Sequence, residues 1–306
     1  MIRRDFLKAA AATASLPLWA APALGAEPAT FLTRPIPATG ELIPAVGMGT
    51  WITFNVGTSE ALRRSRLDVL KTFFEMGGGL VDSSPMYGTS QDVLGWCLER
   101  LPENTSRNLI SATKIWTPAG GSGSEQIAEA RSLWHRNRID VMQVHNLVDW
   151  EDHLIAIREA REQGLVRYTG ITTSHQSRHR EMAEIMNTEP LNFIQQTYNI
   201  EDRKAEQRLL PMAAERGIGV IVNRPFQRGA LIRKLGGRPL PAWAAELGIQ
   251  NWPQFILKFI ISHPAVTCAI PATSQVGHMR ENMAAMQGPM PDPAIRQQMI
   301  SYVASL

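Results

Sequence analysis

From Val46 onward the chain alternates short apolar runs with stretches of helical period, and this alternation limits its fold more than any other feature. The runs are Val46–Thr50, Leu80–Asp82, Leu109–Lys114, Ile139–His145, Tyr168–Thr172, Phe193–Thr197, Gly219–Arg224 and Thr267–Pro271. Each is short, apolar and flanked by helix, as expected of a parallel strand buried on both faces. Apolar stripes at helical spacing separate them: Leu67, Leu70, Phe73 and Phe74, then Val93, Leu94, Cys97, Leu98 and Leu101, then Ile127, Ala130 and Leu133. Further helices are predicted near Asp149–Gln163, His179–Asn187, Ala205–Arg216, Pro253–Ser262 and Val276–Ala285. Strand and helix in regular alternation predict an α/β chain folded as a (β/α)8 barrel. A doubly wound sheet is the alternative, but no Gly-x-Gly-x-x-Gly follows the first strand. Phe31–Pro44, with Ala38-Thr-Gly40 between two alternating pieces, predicts a β-hairpin ahead of the barrel. The stretch Gln227–Asn251 reads as the longest irregular region, a place for a substrate-contacting loop.

At 306 residues and 44% hydrophobic content, the chain can bury the core of one large domain, expected over residues 27–306. Residues 1–26 read differently. Arg3-Arg4-Asp5-Phe6-Leu7-Lys8 precedes an Ala-rich, weakly apolar stretch, Ala9 to Ala23, and small residues lead to Ala26. A charged start, a short apolar segment and a small-residue cleavage site make an export signal, and the arginine pair resembles the twin-arginine type. The expectation is a periplasmic protein handled by the twin-arginine machinery and cleaved near Ala26. The apolar stretch is shorter than the ~20 residues that span a bilayer, so no stable membrane span is expected. Without these residues Lys plus Arg falls from 31 to 28 and Asp plus Glu from 28 to 27, a net charge of about +1. No long basic run remains for nucleic acid. The two cysteines, Cys97 and Cys268, sit in apolar surroundings and are expected as free thiols.

Four polar residues fall at or just beyond the ends of three consecutive strands: Asp82 and Tyr87, Lys114, and His145. In a parallel barrel these ends form one rim where chemistry sits, so the four are expected to meet. Together they suit carbonyl reduction, which needs a proton donor and an electropositive setting for the developing alkoxide. Tyr87 can donate the proton, and an adjacent Lys114 ammonium favours the phenolate. Asp82 can hold that ammonium in a buried place. His145 can hydrogen-bond the carbonyl oxygen and orient it. The hydride must come from a cofactor. Taken singly, each residue has a structural reading: a turn cap, a rim aromatic, a solvated lysine, a core histidine. Four at three successive strand ends favour the joint one. A metal site using Asp82, His145 and His153 or His175 lacks compact ligand spacing, and the lysine would repel a cation.

The ordered motifs Gly47-Met-Gly-Thr-Trp51, Asp82-Ser-Ser-Pro-Met-Tyr-Gly88, Thr113-Lys-Ile-Trp116 and Asp140-Val-Met-Gln-Val-His145 resemble those of the aldo-keto reductases. So do Gly170-Ile-Thr-Thr173, Gln195-Gln-Thr-Tyr-Asn199, Gly229-Ala-Leu231 and Ile270-Pro-Ala-Thr-Ser274, the likeness running from about Thr33 to Ala285. The resemblance implies a TIM barrel binding NADP(H), with NAD(H) the second candidate and no metal. It places the family's tetrad at Asp82, Tyr87, Lys114 and His145. It puts Thr172, Thr173 and Gln195 where the nicotinamide amide is held, and Gly49 and Thr50 beside the cofactor. Arg224, Phe226, Thr273, Ser274, His278, Glu281 and Asn282 fall at nucleotide-contacting places. Three residues depart from the pattern. Asn223 stands where the family has a ring to stack on the nicotinamide, and Ala272 where many members have Lys or Gly. His278 replaces the arginine opposite the 2′-phosphate, a cation only when protonated. Trp51, Trp116 and Trp150 follow rim positions and are candidates for an apolar wall around a small aldehyde or ketone, with His145 on its oxygen. The competing functional class is an exported barrel that binds a nucleotide, ligand or partner protein without turnover.

Overall fold

The computed structural model describes residues 31–102, 104–117 and 121–306. The expected export segment, residues 1–26, lies outside them, as does part of the Gly/Ser-rich loop that begins at Gly120. A hairpin leads the described chain. Its strands β1 (Thr33–Pro35) and β2 (Leu42–Pro44) pair antiparallel with Arg34 opposite Ile43. The main fold then runs β3 (Met48–Gly49), α1 (Glu60–Glu75), β4 (Leu80–Asp82), α2 (Ser90–Leu98), β5 (Ile110–Ile115) and α3 (Gly123–Leu133). Next come β6 (Ile139–His145), α4 (Trp150–Glu162), β7 (Val166–Thr172), α5 (His179–Thr188), β8 (Phe193–Thr197) and α6 (Leu209–Arg216). The last part comprises β9 (Gly219–Asn223), α7 (Ala230–Leu235), α8 (Trp252–Ile261), β10 (Cys268–Ala269), α9 (Val276–Ala284) and α10 (Pro293–Ala304).

Strands β3 to β10 lie side by side in chain order, each parallel to its neighbour. The first and last close on each other through parallel bridges Val46–Ala269 and Gly49–Ala272. Gly47 N–H donates to Ala269 O at 2.8 Å across this seam, and Gly49 N–H to Pro271 O at 3.1 Å. Gly49 is needed there, because a Cβ at that position would stand 2.9 Å from Ile270 O. The result is a closed (β/α)8 barrel, and the doubly wound alternative fails because the sheet has no free edge at that seam.

Side chains alternate in and out along each strand, so the interior is filled in layers. Leu80, Ile110, Val141, Tyr168, Phe193, Ile221 and Cys268 form one buried cluster inside the barrel, and Ile36 and Ile43 of the hairpin pack into it. The hairpin is the floor of the barrel. Thr39 Oγ1 lies 3.0 Å from Tyr168 Oη, which donates to Glu41 at 3.1 Å and pins that floor to β7. Two residues along β4 from Leu80, and four along β5 from Ile110, the same inward face becomes Asp82 and Lys114. Apolar residues at the strand starts and polar ones at their ends therefore give a dry lower barrel and a polar upper rim. Cys97 packs in the separate outer core under the helices, so the two thiols belong to different clusters. Burial pushes Cys97 up to about 12, and Cys268 upward as well.

Several helices start at side-chain caps, with Ser122 accepting from Glu125 N–H, Asn251 from Gln254 N–H and Asp292 from Ile295 N–H. Pro near the first position assists α8 and α10. Two parts differ from the sequence expectation. The stretch 227–251 is not irregular: it contains α7 and a 3₁₀ segment, Ala242–Leu247. A C-terminal helix, α10, also packs onto the barrel beyond the reach of the expected alternation. Among the described residues no helix is long and apolar enough to cross a membrane.

Candidate active site

Asp82 closes β4 and is 1% exposed; Lys114 on β5 is fully buried. Lys114 Nζ donates to Asp82 Oδ2 at 2.6 Å and to Ser83 O at 2.7 Å. The other carboxylate oxygen accepts from Gln195 Nε2 at 2.8 Å and Gln143 Nε2 at 3.3 Å. Burial alone would discharge the lysine, but the Asp82 carboxylate, with Tyr87, outweighs it and holds Lys114 above its ordinary range.

Tyr87 is carried by a 3₁₀ turn, Pro85–Tyr87, whose first residue is preceded by a cap: Ser84 Oγ accepts from Met86 N–H at 3.2 Å. Gly88 follows at φ +60°, and a Cβ there would meet Asn55 Oδ1 at 2.5 Å. That space is used, because Asn55 Oδ1 accepts from both the backbone N–H and the hydroxyl of Thr89, each at 3.0 Å. The loop after β3 thus clips the tyrosine turn in place. Lys114 Nζ lies 5.1 Å from the Tyr87 ring centroid. His145, at the end of β6, meets the Tyr87 ring edge to face, with centroids 5.7 Å apart. Its Nδ1 is 2.8 Å from Ser84 Oγ. The three strand ends therefore bring the four expected residues together.

The electrostatics refine the sequence argument. Burial raises the Tyr87 phenol above its ordinary pKa, and Lys114 pulls downward without prevailing. Tyr87 is a neutral, proton-bearing phenol next to a cation, not a phenol made acidic by it. Burial, then the Lys114 charge, pushes His145 down to about 2, so its imidazole is neutral.

A cavity of about 470 Å³ opens over this cluster. Gly49, Thr50, Trp51, Asp82, Tyr87, His145, Thr172, Gln195, Arg224 and Phe226 line it, all expected site residues. Thr50 Oγ1 donates to Asp82 O at 3.0 Å and lies 2.8 Å from Ser83 Oγ, whose hydroxyl can donate back to it, tying β3 to the end of β4. Thr173 is buried beside the cavity, its N–H on Gln195 O at 3.0 Å and its Oγ1 accepting from His175 N–H at 3.2 Å. Thr273, Ser274, His278, Glu281 and Asn282 do not line the cavity; they lie on the β10–α9 segment of the same rim. Trp116 is outside it too, 38% exposed, its backbone held by Gln126. Trp150, at the start of α4, also contributes nothing to the lining.

Several contributors had no such role in the sequence reading, where Asn223 stood only as a departure from the family pattern and His175 only as a candidate metal ligand. Gln143 and Asn223 complete a polar network: Gln195 Nε2 reaches Gln143 Oε1 at 3.2 Å, and Asn223 Oδ1 accepts from Thr197 Oγ1 at 2.8 Å. Gln143 stands two residues before His145 on one strand, so alternation placed it on the same inward face. Asn146, His175, Ile52, Met86 and Arg228 also line the cavity. Arg228 lies over the Trp51 ring at 4.4 Å. It belongs to a turn in which Arg224, Gln227, Arg228 and Gly229 all have positive φ, a conformation that no local pattern announced.

The match to the Aldo/keto reductase family model covers residues 45–298, the whole barrel. Methylglyoxal reductase YeaE of Escherichia coli is 27% identical over 254 residues, covering 80% of this chain and 86% of its own. A thermostable aldo-keto reductase, Tm1743, solved with the inhibitor epalrestat, superposes with a TM-score of 0.74 at 26% identity, over 88% of this chain and 99% of that one. An aldo/keto reductase from Klebsiella pneumoniae, solved with NADP and acetate, superposes at 0.72 with 21% identity, over 86% and 92%. With the family match spanning the barrel and the tetrad assembled on its rim, this chain belongs to the aldo/keto reductase family.

Proposed function

We propose that this protein reduces small aldehydes or ketones to alcohols with a nicotinamide nucleotide, NADP(H) first and NAD(H) second. The observation that carries this reading is the meeting of Asp82, Lys114, Tyr87 and His145 at one cavity. The chemistry a reduced nicotinamide supplies when bound is hydride transfer to the carbonyl carbon. The protein's own residues handle the oxygen. His145, neutral, donates a hydrogen bond to it, and Tyr87 delivers the proton that completes the alcohol. Burial keeps that proton on Tyr87 until it is needed. The Lys114 charge then stabilises the phenolate left behind, and Asp82 keeps that charge in place. Trp51, Ile52 and Met86 wall the mouth with apolar surface suited to a small carbonyl compound.

The residues present fit such a nucleotide. The Arg224 guanidinium makes no ion pair with an acidic side chain among the described residues, nor does that of Arg228, which suits a pyrophosphate. Burial and then the Arg228 charge lower the Arg224 pKa, so an anion placed between the two guanidiniums would offset both effects. Gln195 spends its amide N–H groups on Asp82 and Gln143, leaving Oε1 with one long contact from Asn223 at 3.4 Å and free to take a nicotinamide amide. Gly49, Thr50, Thr172 and Thr173 would flank that ring. Arg224 and Phe226 would hold the middle, and Thr273, Ser274, His278, Glu281 and Asn282 the adenosine end. The test is direct: titrate the protein with NADPH and NADH by fluorescence, then follow nucleotide oxidation with a panel of aldehydes and ketones that includes methylglyoxal. Micromolar NADPH binding with turnover is expected. Nucleotide binding without turnover of any carbonyl would make the barrel a binding module instead.

We also propose that residues 1–26 direct twin-arginine export to the periplasm, on the strength of Arg3, Arg4 and the Ala-rich stretch behind them. Replacing both arginines with Lys should leave the chain cytoplasmic at full length, as read by fractionation and immunoblot; unchanged periplasmic accumulation would sink the idea.

A further inference from the structure

We propose that Ser84 is a positioning residue that locks His145 in one tautomer, with Nδ1 as acceptor and Nε2–H presented to the substrate oxygen. The inference rests on the carbonyl-reductase reading of the cavity and adds a residue that the reading does not use. Ser84 is fully buried, one step past Ser83 beyond the end of β4. Its Oγ has two polar neighbours, the Met86 backbone N–H at 3.2 Å and His145 Nδ1 at 2.8 Å. A hydroxyl has one hydrogen to give and two lone pairs to share. The Met86 N–H can only donate, so it occupies a lone pair. The hydroxyl hydrogen then has a single acceptor within reach, His145 Nδ1.

The rest follows from the imidazole. His145 is neutral in this setting, because burial and the Lys114 ammonium both oppose a second proton. A neutral ring carries one N–H, and the hydrogen bond made by one nitrogen fixes the role of the other. With Nδ1 accepting from Ser84, the hydrogen resides on Nε2. No protein group among the described residues bonds Nε2, and the ring lines the cavity. The opposite tautomer would aim two donors at Ser84 Oγ, leave its own buried hydrogen without an acceptor, and turn a lone pair toward the carbonyl oxygen. Ser84 thus makes the cavity-facing nitrogen of His145 a donor, which is what a developing alkoxide requires.

The test reads the tautomer itself. In full-length protein with 15N-labelled histidine, long-range 1H–15N correlation should show His145 with a pyridine-type Nδ1 and a pyrrole-type Nε2; a His145→Gln spectrum assigns the signal. Ser84→Ala should shift His145 to a mixture of tautomers. It should also lower kcat/KM for carbonyl reduction on the order of tenfold, the worth of about one hydrogen bond, with the NADPH dissociation constant unchanged. Ser84→Thr, which keeps the hydroxyl, should restore both signal and rate. A wild-type spectrum with the hydrogen on Nδ1, or a single Nε2–H tautomer surviving in Ser84→Ala, would overturn the proposal. If the wild type reduces no carbonyl yet shows the locked tautomer that Ser84→Ala loses, the lock stands and the reductase reading falls.

Discussion

Lys114 keeps a positive charge where no water reaches it, and two contacts explain why: a 2.6 Å bond to Asp82 and a 2.7 Å bond to Ser83 O. A buried pair of this kind costs desolvation, so its value lies in placing a charge beside Tyr87 more than in holding the fold together. That view separates stability from activity. Lys114→Met leaves the Asp82 carboxylate buried and unpaired, and should lower unfolding free energy by about 3–5 kcal/mol in urea denaturation. Adding Asp82→Asn should recover much of that loss while leaving carbonyl reduction abolished. If the single variant unfolds within ~1 kcal/mol of wild type, water or another group compensates the carboxylate and the buried-pair argument fails. Tyr87 shows the same competition between burial and a neighbouring charge. Sequence alone assigned it a lowered pKa from the neighbouring ammonium, whereas the burial around it, which a sequence does not display, wins.

Among the elements, those that bear the site were the easiest to read. The inward faces of β4, β5 and β6 start apolar, with Leu80, Ile110 and Ala112, and Ile139 and Val141, and turn polar toward their ends, so Asp82, Lys114 and His145 announced both the strand and its functional end. The hairpin was equally plain, because Ile36 and Ile43 flank a turn rich in small and polar residues. Elements whose buried face is interrupted were hidden. α10 buries Arg296, Met299 and Val303, so its inward stripe includes a guanidinium. Arg296 is satisfied only by distant partners: it donates to Tyr198 Oη at 2.6 Å and Ser262 Oγ at 2.8 Å, and faces Phe259 at 4.3 Å. α7 was missed because its six residues are too few to display a period, and the turn before it uses left-handed residues that are not glycine. Within the site, Ser84 and Asn223 were invisible as a network because their partners, His145 and Thr197, are 61 and 26 residues away along the chain.

At the scale of the whole molecule, barrel closure turns local pattern into chemistry. The seam between β3 and β10 brings Gly49 against Ala272, so the rim is one continuous ring from Thr50 to the start of α9. The hairpin seals the opposite end with apolar side chains, which leaves the rim as the open face of the sheet interior. Along that ring the strand ends gather a phenol, an ammonium, an imidazole and two guanidiniums that have no acidic partner among the described residues, all around one cavity. The central claim is that this gathering reduces carbonyl groups with Tyr87 as the proton donor. The most direct measurement compares NADPH oxidation by wild type and Tyr87→Phe over the same aldehyde panel, with NADPH affinity determined for both. The account predicts a fall in turnover of about 10²–10⁴-fold with nucleotide affinity nearly unchanged, since the phenol acts on the substrate oxygen and not on the nucleotide. A Tyr87→Phe protein that retains most of its turnover would contradict it.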